Sequence, residues 1–365
     1  MKYYIIAGEA SGDLYGSKLI DEIFSVDKKA DIRFWGGDRM IKSGGYNVKH
    51  IKELAFMGFY EVLKNIKTIF KNIQFCKNDI ENFNPDKIIY IDYPGFNLKI
   101  CKWAKSKGYK NYYYISPQIW AWKESRIKTI KNNIDKLYVI FPFEKEYYQK
   151  KHNMEVEFYG HPLIEQINSF NSNNGFLKKN NINNRKEIIT LLPGSRSQEI
   201  KSMLPIFLKL KKHFSNYEFI VAGVKNVNEI CYQPAMDIDV KVIYNQTYDL
   251  LYHSKIAIVT SGTASLECAL FNVPQIVCYK TSSISYFIGK SFINISFISL
   301  VNIILKKCVV KELIQNDLTE KKLIIELSNL LSDNKISDIL NEYSRINSML
   351  SIKETSKKIA LSIIT

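Results

Sequence analysis

The sequence lacks three features that would place it in whole classes of protein. No window supplies the roughly 20 consecutive apolar residues that a membrane-spanning helix needs. The apolar start of the chain is too short and too soon interrupted for a signal peptide. The six cysteines form no close pair and no metal-ligand spacing, which argues against a disulfide framework and a structural zinc site. We therefore expect a cytoplasmic protein with reduced thiols that is at most peripheral to a membrane.

Acidic residues are also scarce. The 365 residues include 51 Lys and Arg but only 36 Asp and Glu, which gives a formal net charge of +15. The imbalance is concentrated between Lys99 and Lys136, where ten basic residues accompany two acidic ones, Glu124 and Asp135. Such a charge predicts a polyanionic neighbour: nucleic acid, an anionic membrane surface or a phosphorylated substrate.

Short apolar runs alternate with amphipathic helical patterns along the whole chain, which predicts an α/β fold with parallel sheets covered by helices. The predicted strands are Lys2–Ala7, Asp31–Trp35, Lys87–Ile91, Asn111–Ile115, Lys136–Ile140, Glu155–Tyr159, Glu187–Leu192, Glu218–Ala222, Asp239–Tyr244, Lys255–Val259 and Pro274–Cys278. A stretch rich in Asn, Lys and Ser, residues 168–186, predicts a linker with a short helix inside it. The predicted domains are 1–167 and 187–345, and a C-terminal helix, 346–365, is expected to pack back on the first. Ligands should bind in the cleft between the domains, at the carboxyl ends of the strands.

The loop after the first predicted strand is rich in small residues. It reads Gly8-Glu9-Ala10-Ser11-Gly12-Asp13. Its spacing is not the dinucleotide fingerprint, so nicotinamide or flavin binding is disfavoured. Gly8 and Gly12 permit a tight turn and a close backbone approach. A sugar or phosphate bound through Glu9, Ser11 and Asp13, or a packing turn without a ligand, would both explain the loop.

The segment Ser261–Glu267 is the most informative stretch of the chain. It joins an apolar run, 256–259, to a helical pattern, and a helix N-terminus favours anions through its free amides and its dipole. Gly262 would let the backbone approach a diphosphate, and Thr263 would add a hydroxyl donor. Glu267 lies one helical turn later, where its carboxylate suits a ribose diol. The segment alone leaves open an ordinary helix cap beside a solvated glutamate.

Two further loops carry charged candidates. Asp92 directly follows the strand Lys87–Ile91 and could act as a general base, although Asp is also common in turns. Arg196 follows Glu187–Leu192, at a helix start where a capping box of Ser195 and Gln198 is predicted. A cation at a helix N-terminus opposes the dipole unless an anion binds there, which favours a phosphate contact. No Asp-x-Asp motif lies beside Gly262, so neither a metal nor a cofactor is expected.

The segment 59–77 predicts an amphipathic helix. Its apolar stripe includes Val62, Leu63, Ile66, Ile69 and Phe70, with lysines among them. Such a helix packs most often against a core with a solvated basic face, but the same pattern occurs in helices that contact lipid.

Seven segments of the chain, some of them described above, together resemble lipid-A-disaccharide synthase, a glycosyltransferase family with the GT-B fold. The matching segments, in the family's order, are 7–13, 53–63, 116–122 (Ser-Pro-Gln-Ile-Trp-Ala-Trp), 141–144 (Phe-Pro-Phe-Glu), 160–162 (Gly-His-Pro), 192–196 and 261–267. The resemblance implies two facing Rossmann-like domains and a metal-free, cofactor-free inverting transfer of 2,3-diacylglucosamine from its UDP donor to 2,3-diacylglucosamine 1-phosphate. The products would be a β-1,6-linked disaccharide phosphate and UDP.

The resemblance also implies residue roles. Asp92 would be the base; Arg196, Gly262, Thr263, Glu267 and Asn302 would form the UDP site. The family motif around the base often reads Asp-Ala-Pro-Asp-Phe-Asn, and residues 92–97 here read Asp-Tyr-Pro-Gly-Phe-Asn. The second carboxylate is therefore absent. An anionic membrane surface is the expected partner, on the inner face of the cytoplasmic membrane, and a homo-oligomer is left open.

Three alternatives stay open on the sequence alone. One is another GT-B enzyme that acts on a UDP-N-acetylglucosamine-type substrate, such as a 2-epimerase or an undecaprenyl-linked transferase. A second is a basic nucleic-acid-binding protein, although no recognised motif supports nucleic acid as a partner. The third is a catalytically dead scaffold at the membrane.

Overall fold

Two α/β units make up the protein, as a computed structural model shows. The structure describes residues 1–54, 66–183, 185–225, 227–281 and 296–365. One unit comprises Met1–Glu165 with Leu350–Thr365, and the other comprises Gln166–Met349. Among the helices of the described residues, none combines the length and the apolarity needed to cross a membrane.

The first unit is built on a seven-stranded parallel sheet in the order β3-β2-β1-β4-β5-β6-β7. Its strands are β1 (Lys2–Ala7), β2 (Asp31–Gly36), β3 (Tyr46–His50), β4 (Lys87–Ile91), β5 (Lys110–Tyr114), β6 (Lys136–Val139) and β7 (Glu157–Phe158). Its helices are α1 (Ala10–Val26), α2 (Asp38–Ser43), α3 (Ile66–Phe83), α4 (Pro94–Ser106), α5 (Ile127–Asn133), α6 (Pro142–His152) and α7 (Pro162–Asn168), the last of which crosses the unit boundary.

The second unit repeats this arrangement with six parallel strands in the order β10-β9-β8-β11-β12-β13. Its strands are β8 (Ile188–Leu192), β9 (Glu218–Gly223), β10 (Lys241–Tyr244), β11 (Ser254–Thr260), β12 (Gln275–Tyr279) and β13 (Lys311–Ile314). Its helices are α8 (Phe176–Lys179), α9 (Ser197–Leu208), α10 (Gln233–Met236), α11 (Thr247–Tyr252), α12 (Thr263–Leu270), α13 (Leu300–Leu305), α14 (Glu320–Leu330) and α15 (Asp333–Leu350).

In each sheet the chain adds strands first on one side of the first strand and then on the other side, while all strands stay parallel. In the first sheet, β2 and β3 lie on one side of β1 while β4 begins the other side, and β8 and β11 form the corresponding pair in the second sheet. Connections on the two sides run to opposite faces of the sheet, which leaves a crevice at the carboxyl ends of the central pair. Ala7 pairs with Ile91 and Val259 pairs with Leu192, so the loops that follow these strands are neighbours.

Each sheet has its own core. The strands of the first unit bury many tyrosines, and several of their hydroxyls bond within the protein: Tyr4 donates to Asp79 at 2.8 Å and Tyr90 donates to Asn111 at 2.9 Å. The second core includes Phe176 and Ile182, both buried. The stretch predicted to be a linker, 168–186, therefore lies within the second unit, and its apolar side chains help to cover that sheet.

The C-terminal helix α16 (Thr355–Ile364) packs on α1 of the first unit. Two lysines bind its last carbonyl groups: Lys87 donates to Ile364 at 2.8 Å and Lys136 donates to Ser362 at 2.9 Å. Cations at a helix C-terminus interact favourably with its dipole and satisfy carbonyls that lack helical partners.

Two strands were missed by the sequence analysis. β3 is short and partly exposed, with charged residues on it, and β13 begins with Lys311 and Glu312. Both strands lie at sheet edges, where one side pairs with a neighbour and apolar side chains are fewer.

Candidate functional site

Asp92 lies at the carboxyl end of β4, in a strained turn. Asp92 and Tyr93 both have left-handed backbone conformations, with φ of 46° and 49°. Three hydrogen bonds hold the turn: the Asp92 N–H donates to the Tyr114 carbonyl at 3.0 Å, and the Asp92 carbonyl accepts from the Tyr113 hydroxyl at 2.6 Å and from the Asn97 side chain at 2.7 Å. Left-handed non-glycine residues cost about 1–3 kcal/mol each and persist where the surroundings over-determine them. These bonds therefore fix the backbone of Asp92, and with it the position of its Cα and Cβ atoms.

The neighbouring loop after β1 fits against this turn because it starts with glycine. A Cβ on Gly8 would lie 2.4 Å from the ring of Tyr93, well inside contact distance. The Tyr93 ring also stacks on Phe96, with ring centres 5.6 Å apart. The absence of a side chain at Gly8 thus lets an aromatic ring lie beside Asp92, and Tyr93 is a candidate site residue that the sequence analysis did not select.

Burial raises the pKa of Asp92 from its ordinary value of 3.8 to about 7. The negative charges of Glu9 and Glu144 raise this pKa further, whereas the Tyr93 N–H and the positive charge of Arg126 lower it. A carboxylate with a pKa near neutrality is a stronger base than an exposed aspartate and is still substantially ionised at pH 7. The charges of three neighbours and one backbone hydrogen bond therefore combine with burial to tune one carboxylate.

Glu144 joins two of the sequence motifs, the segments 116–122 and 141–144, in the structure. Its buried carboxylate accepts from the Ser116 hydroxyl at 3.0 Å and the Trp120 indole at 3.1 Å, and from the backbone N–H groups of Ile140 and Phe141 at 3.0 Å each. Burial raises the pKa of Glu144 despite these four donors. The segments 116–122 and 141–144 are thus joined through one side chain. Pro at the first helical position and Glu at the third gave a capping signal that could have indicated this role.

Only part of the loop 8–13 is available to a ligand. Asp13 is 5% exposed and its carboxylate accepts from the backbone N–H groups of Gly37, Arg39 and Met40 at 2.7, 3.1 and 3.0 Å. Both oxygens of Asp13 therefore hold the start of α2, and its contact with a sugar stays a prediction. Gly12 is also buried, where it allows α1 to pack closely on β1, since a Cβ there would lie 3.1 Å from Ala7. Gly8 lies against Tyr93, and Glu9 and Ser11 remain candidates.

The second unit brings its two predicted loops together after β8 and β11. α12 begins at Thr263, and Gly262 precedes it with φ of 155°, a conformation that favours glycine. A Cβ on Gly262 would have no atom within 4 Å, and both Gly262 and Thr263 are exposed. The start of α12 is therefore open to a ligand. Glu267 is partly buried one turn later and accepts from the Tyr248 hydroxyl at 3.0 Å; burial raises its pKa.

Arg196 lies at the start of α9, but the predicted capping box is shifted by one residue. The carboxylate of Glu199, rather than Gln198, accepts from the backbone N–H groups of Ser195 and Arg196 at 2.9 and 3.2 Å. Arg196 is the residue preceding the helix, and its guanidinium lies 3.5 Å from Glu199. This exposed ion pair is weak enough to rearrange around a stronger anion.

Asn302 lies in the interior of the second unit, with its side chain bonded to the segment 309–312. It is fully buried, and its amide donates to the Val310 carbonyl at 2.9 Å and to Glu312 at 2.8 Å. Its oxygen accepts from the N–H groups of Val309 and Val310 at 2.8 and 3.0 Å. All of these bonds are internal to the protein, so Asn302 has a structural role here, and its contact with UDP stays a prediction.

The predicted lipid-contact stripe is only partly described. Val62 and Leu63 lie outside the described residues, as does the side chain of Ile66. α3 extends to Phe83 rather than ending near position 77, and Ile69 packs against the core. Phe70 is 60% exposed. Of the described part of the stripe, the core-packing interpretation holds for Ile69, and Phe70 alone presents an apolar surface.

Two other observations bear on ligands. Within the described residues, no group of three or more His, Cys, Asp or Glu side chains could hold a metal ion. A cavity of about 320 Å³ lies at the amino ends of β8 and β11, beside Glu187, Ser254 and Lys255. It lies at the edge of the sheet opposite to Gly262 and Arg196, so it is separate from the candidate site.

Comparisons with known proteins place the chain in a family. The model of the family described as lipid-A-disaccharide synthetase matches residues 3–364. A lipid-A-disaccharide synthase of Coxiella burnetii (strain Dugway 5J108-111) is 37% identical over 293 residues, which cover 79% of this chain and 78% of that protein. The chain belongs to the lipid-A-disaccharide synthase family. Lipid-A-disaccharide synthase 1 of Legionella pneumophila (strain Paris) is 36% identical over 95% of this chain and 92% of its own. The chain is therefore a glycosyltransferase of lipid A biosynthesis.

Solved structures support the fold class. A UDP-GlcNAc 2-epimerase from Neisseria meningitidis bound to UDP-GlcNAc has a TM-score of 0.65 at 14% identity and covers all of both chains. The glycosyltransferase of kitacinnamycin has a TM-score of 0.65 at 10% identity, with 99% of each chain covered. At these identities the likeness concerns the fold alone. It confirms the predicted GT-B class with two parallel-sheet α/β domains.

Proposed function

We propose that the enzyme transfers 2,3-diacylglucosamine from its UDP donor to 2,3-diacylglucosamine 1-phosphate, with inversion at the anomeric carbon. Asp92 removes the proton from the acceptor 6-hydroxyl as that oxygen bonds to the anomeric carbon. The bond from this carbon to the UDP oxygen breaks on the opposite face. The products are the β-1,6-linked disaccharide 1-phosphate, UDP and the proton on Asp92.

The observation that carries this proposal is Asp92 itself. It combines a fixed turn at the carboxyl end of β4 with a pKa raised by burial to about 7. A general base with such a pKa is matched to a hydroxyl nucleophile at neutral pH. Glu9 and Ser11, on the adjacent loop after β1, are the proposed contacts to the acceptor sugar.

The proposed donor site is on the second unit. The free amides at the start of α12 and the hydroxyl of Thr263 face the diphosphate, and the guanidinium of Arg196 adds charge. These groups stabilise the negative charge that develops on UDP as it leaves, so the mechanism uses no metal. Glu267 accepts hydrogen bonds from the ribose hydroxyls. The substrates carry acyl chains, and the basic surface of the first unit provides attraction to an anionic bilayer.

Incubation with UDP-2,3-diacylglucosamine and 2,3-diacylglucosamine 1-phosphate tests the proposal. Mass analysis should find a disaccharide monophosphate, and the anomeric proton coupling in its NMR spectrum should be that of a β linkage. A parallel incubation with UDP-N-acetylglucosamine alone should leave that nucleotide sugar unchanged. Epimerisation of UDP-N-acetylglucosamine, without any disaccharide from the acylated pair, would contradict the proposal and favour the 2-epimerase alternative.

A further inference from the structure

A pair of cations flanks an exposed tryptophan in the loop between β5 and α5. Trp122 is 43% exposed. The Lys123 ammonium lies 4.3 Å from the centre of its ring, and the Arg126 guanidinium lies 5.3 Å from it. Aromatic rings attract cations at these distances, so the indole holds two positive charges in one small area.

No carboxylate holds either of these two charges in an ion pair within the described residues. The nearest acid in sequence, Glu124, pairs instead with Lys151 at 2.7 Å and His152 at 3.2 Å. The other acid of the basic stretch, Asp135, pairs with Lys105 at 2.6 Å. The local fold thus directs both carboxylates of the basic stretch to other cations.

The arrangement is maintained although it is electrostatically unfavourable. Burial lowers the pKa of Lys123 and of Arg126, and the charge of Arg126 lowers the pKa of Lys123 further. Tyr113 and Asp92 raise the pKa of Arg126, which offsets part of the effect of burial on that residue. Lys123 also has a left-handed backbone with φ of 54°. Two repelling cations in a strained turn are expected where an anion binds between them and removes the repulsion.

The loop is anchored next to the proposed base. The indole of Trp120 donates to Glu144, which fixes the segment just before Trp122. Arg126 lies close enough to Asp92 that its positive charge lowers the pKa of that carboxylate, although the two groups form no ion pair. An anionic group held by this pair would therefore belong to a molecule whose other end lies near Asp92.

We propose that Lys123 and Arg126 bind the phosphate of the acceptor sugar. A phosphomonoester carries up to two negative charges, which match two cations, and a guanidinium binds phosphate oxygens in a bidentate manner. The inference rests on the proposed function, because it assigns a subsite for the same acceptor. A bilayer headgroup offers the same phosphate chemistry, so the test separates the two sources.

Phosphate binding at Lys123 and Arg126 should also raise the pKa of Asp92. The anion offsets the positive charge of Arg126, which lowers the pKa of Asp92 in the free enzyme. Binding of the acceptor therefore raises the pKa of Asp92 and makes it a stronger base. By linkage, ionisation of Asp92 weakens phosphate binding by the same factor.

Titration calorimetry with glucosamine 1-phosphate tests the subsite without turnover. Lys123→Gln and Arg126→Gln should each weaken its binding about 10-fold or more, the usual effect of losing a charge-assisted hydrogen bond. Lys128→Gln, on an exposed lysine of α5, is the matched control and should bind like wild type. In the transfer assay, both test variants should raise KM for 2,3-diacylglucosamine 1-phosphate and leave KM for the UDP donor unchanged.

Vesicles containing phosphatidylglycerol provide the second arm. If both test variants bind glucosamine 1-phosphate as tightly as wild type, the inference is wrong. If these variants then also sediment less with the vesicles than wild type does, Lys123 and Arg126 bind lipid headgroups instead. If wild type binds the probe through these residues but forms no disaccharide, the proposed function fails while the phosphate subsite stands. Circular dichroism of each variant at the assay temperature excludes loss of fold as the reason for weaker binding.

Discussion

Glu9 should tune the base of this enzyme, and the pH dependence of kcat/KM measures that effect. Its negative charge is the largest electrostatic contribution that raises the pKa of Asp92, second only to burial. Glu9→Gln removes the charge and keeps the size and polarity of the side chain. Because the charge of Glu9 then no longer disfavours ionised Asp92, the pKa of Asp92 should fall, while the smaller effect of Glu144 remains.

The expected profile follows from the pKa of about 7. A general base acts when it is unprotonated, so kcat/KM should rise with pH and level off above this value. One pH unit below the pKa, roughly a tenth of the enzyme carries the ionised base, and one unit above it, roughly nine tenths does. In Glu9→Gln the rising limb should shift to lower pH, so that the variant retains a larger share of its own maximum at pH 6.

The quantity to compare is the pH at which kcat/KM reaches half of its maximum. The maximum itself can fall in Glu9→Gln, because Glu9 is also a proposed contact to the acceptor. Glu22→Gln is the matched control: Glu22 lies near the other end of α1, about 20 Å further along at 1.5 Å per residue. Its limb should coincide with that of wild type. A wild-type limb near pH 4 would show that Asp92 is not a base of raised pKa, and a Glu9→Gln limb at or above the wild-type position would show that Glu9 does not raise it.

Three further predictions concern the turn, the donor site and the metal. Gly8→Ala should lower turnover at least 10-fold, because its Cβ would lie 2.4 Å from the Tyr93 ring. The double variant Gly8→Ala/Tyr93→Ala should recover part of the lost turnover, and no recovery would show that the clash is not the cause. Arg196→Ala should weaken UDP binding far more than uridine binding in titration calorimetry, whereas Glu267→Ala should weaken both ligands; equal losses in Arg196→Ala would contradict the diphosphate assignment. Transfer activity should persist in excess chelator, and complete loss that magnesium or manganese restores would reveal a metal site.

The sequence predicted the alternation of strands and helices well, because buried parallel strands carry apolar runs that are visible without a structure. β1 and β4 were predicted with the bounds that the structure shows. The edge strands β3 and β13 were missed because fewer of their side chains are buried. The order of strands could not be predicted, since it depends on which helices cross to which face of the sheet.

That strand order is what assembles the candidate site. Asp92 and Glu9 are far apart in sequence and become neighbours because β4 pairs with β1. Arg196 and Gly262 become neighbours in the same way, through β8 and β11. Local patterns could identify each loop as a carboxyl-end loop, but not which loops would meet.

Side-chain roles were predicted less well than positions. Asp13 and Asn302 were assigned to ligands, and the structure shows their polar atoms bonded within the protein. Short motifs do not distinguish a carboxylate that holds a turn from one that faces a substrate. Glu144 is a residue whose role the sequence did not reveal. Its donors include Ser116 and Phe141, which are far apart in sequence, so no local motif shows that one carboxylate joins them.

Replacement of Asp92 tests the central claim most directly. Asp92→Asn keeps the size of the side chain and removes the base, so turnover with UDP-2,3-diacylglucosamine and 2,3-diacylglucosamine 1-phosphate should fall by roughly 10²–10⁴, the usual contribution of a general base. UDP affinity, measured by calorimetry on the same preparation, should hardly change, because the proposed UDP contacts are all on the other unit. A folded Asp92→Asn enzyme with near-normal turnover would contradict the account.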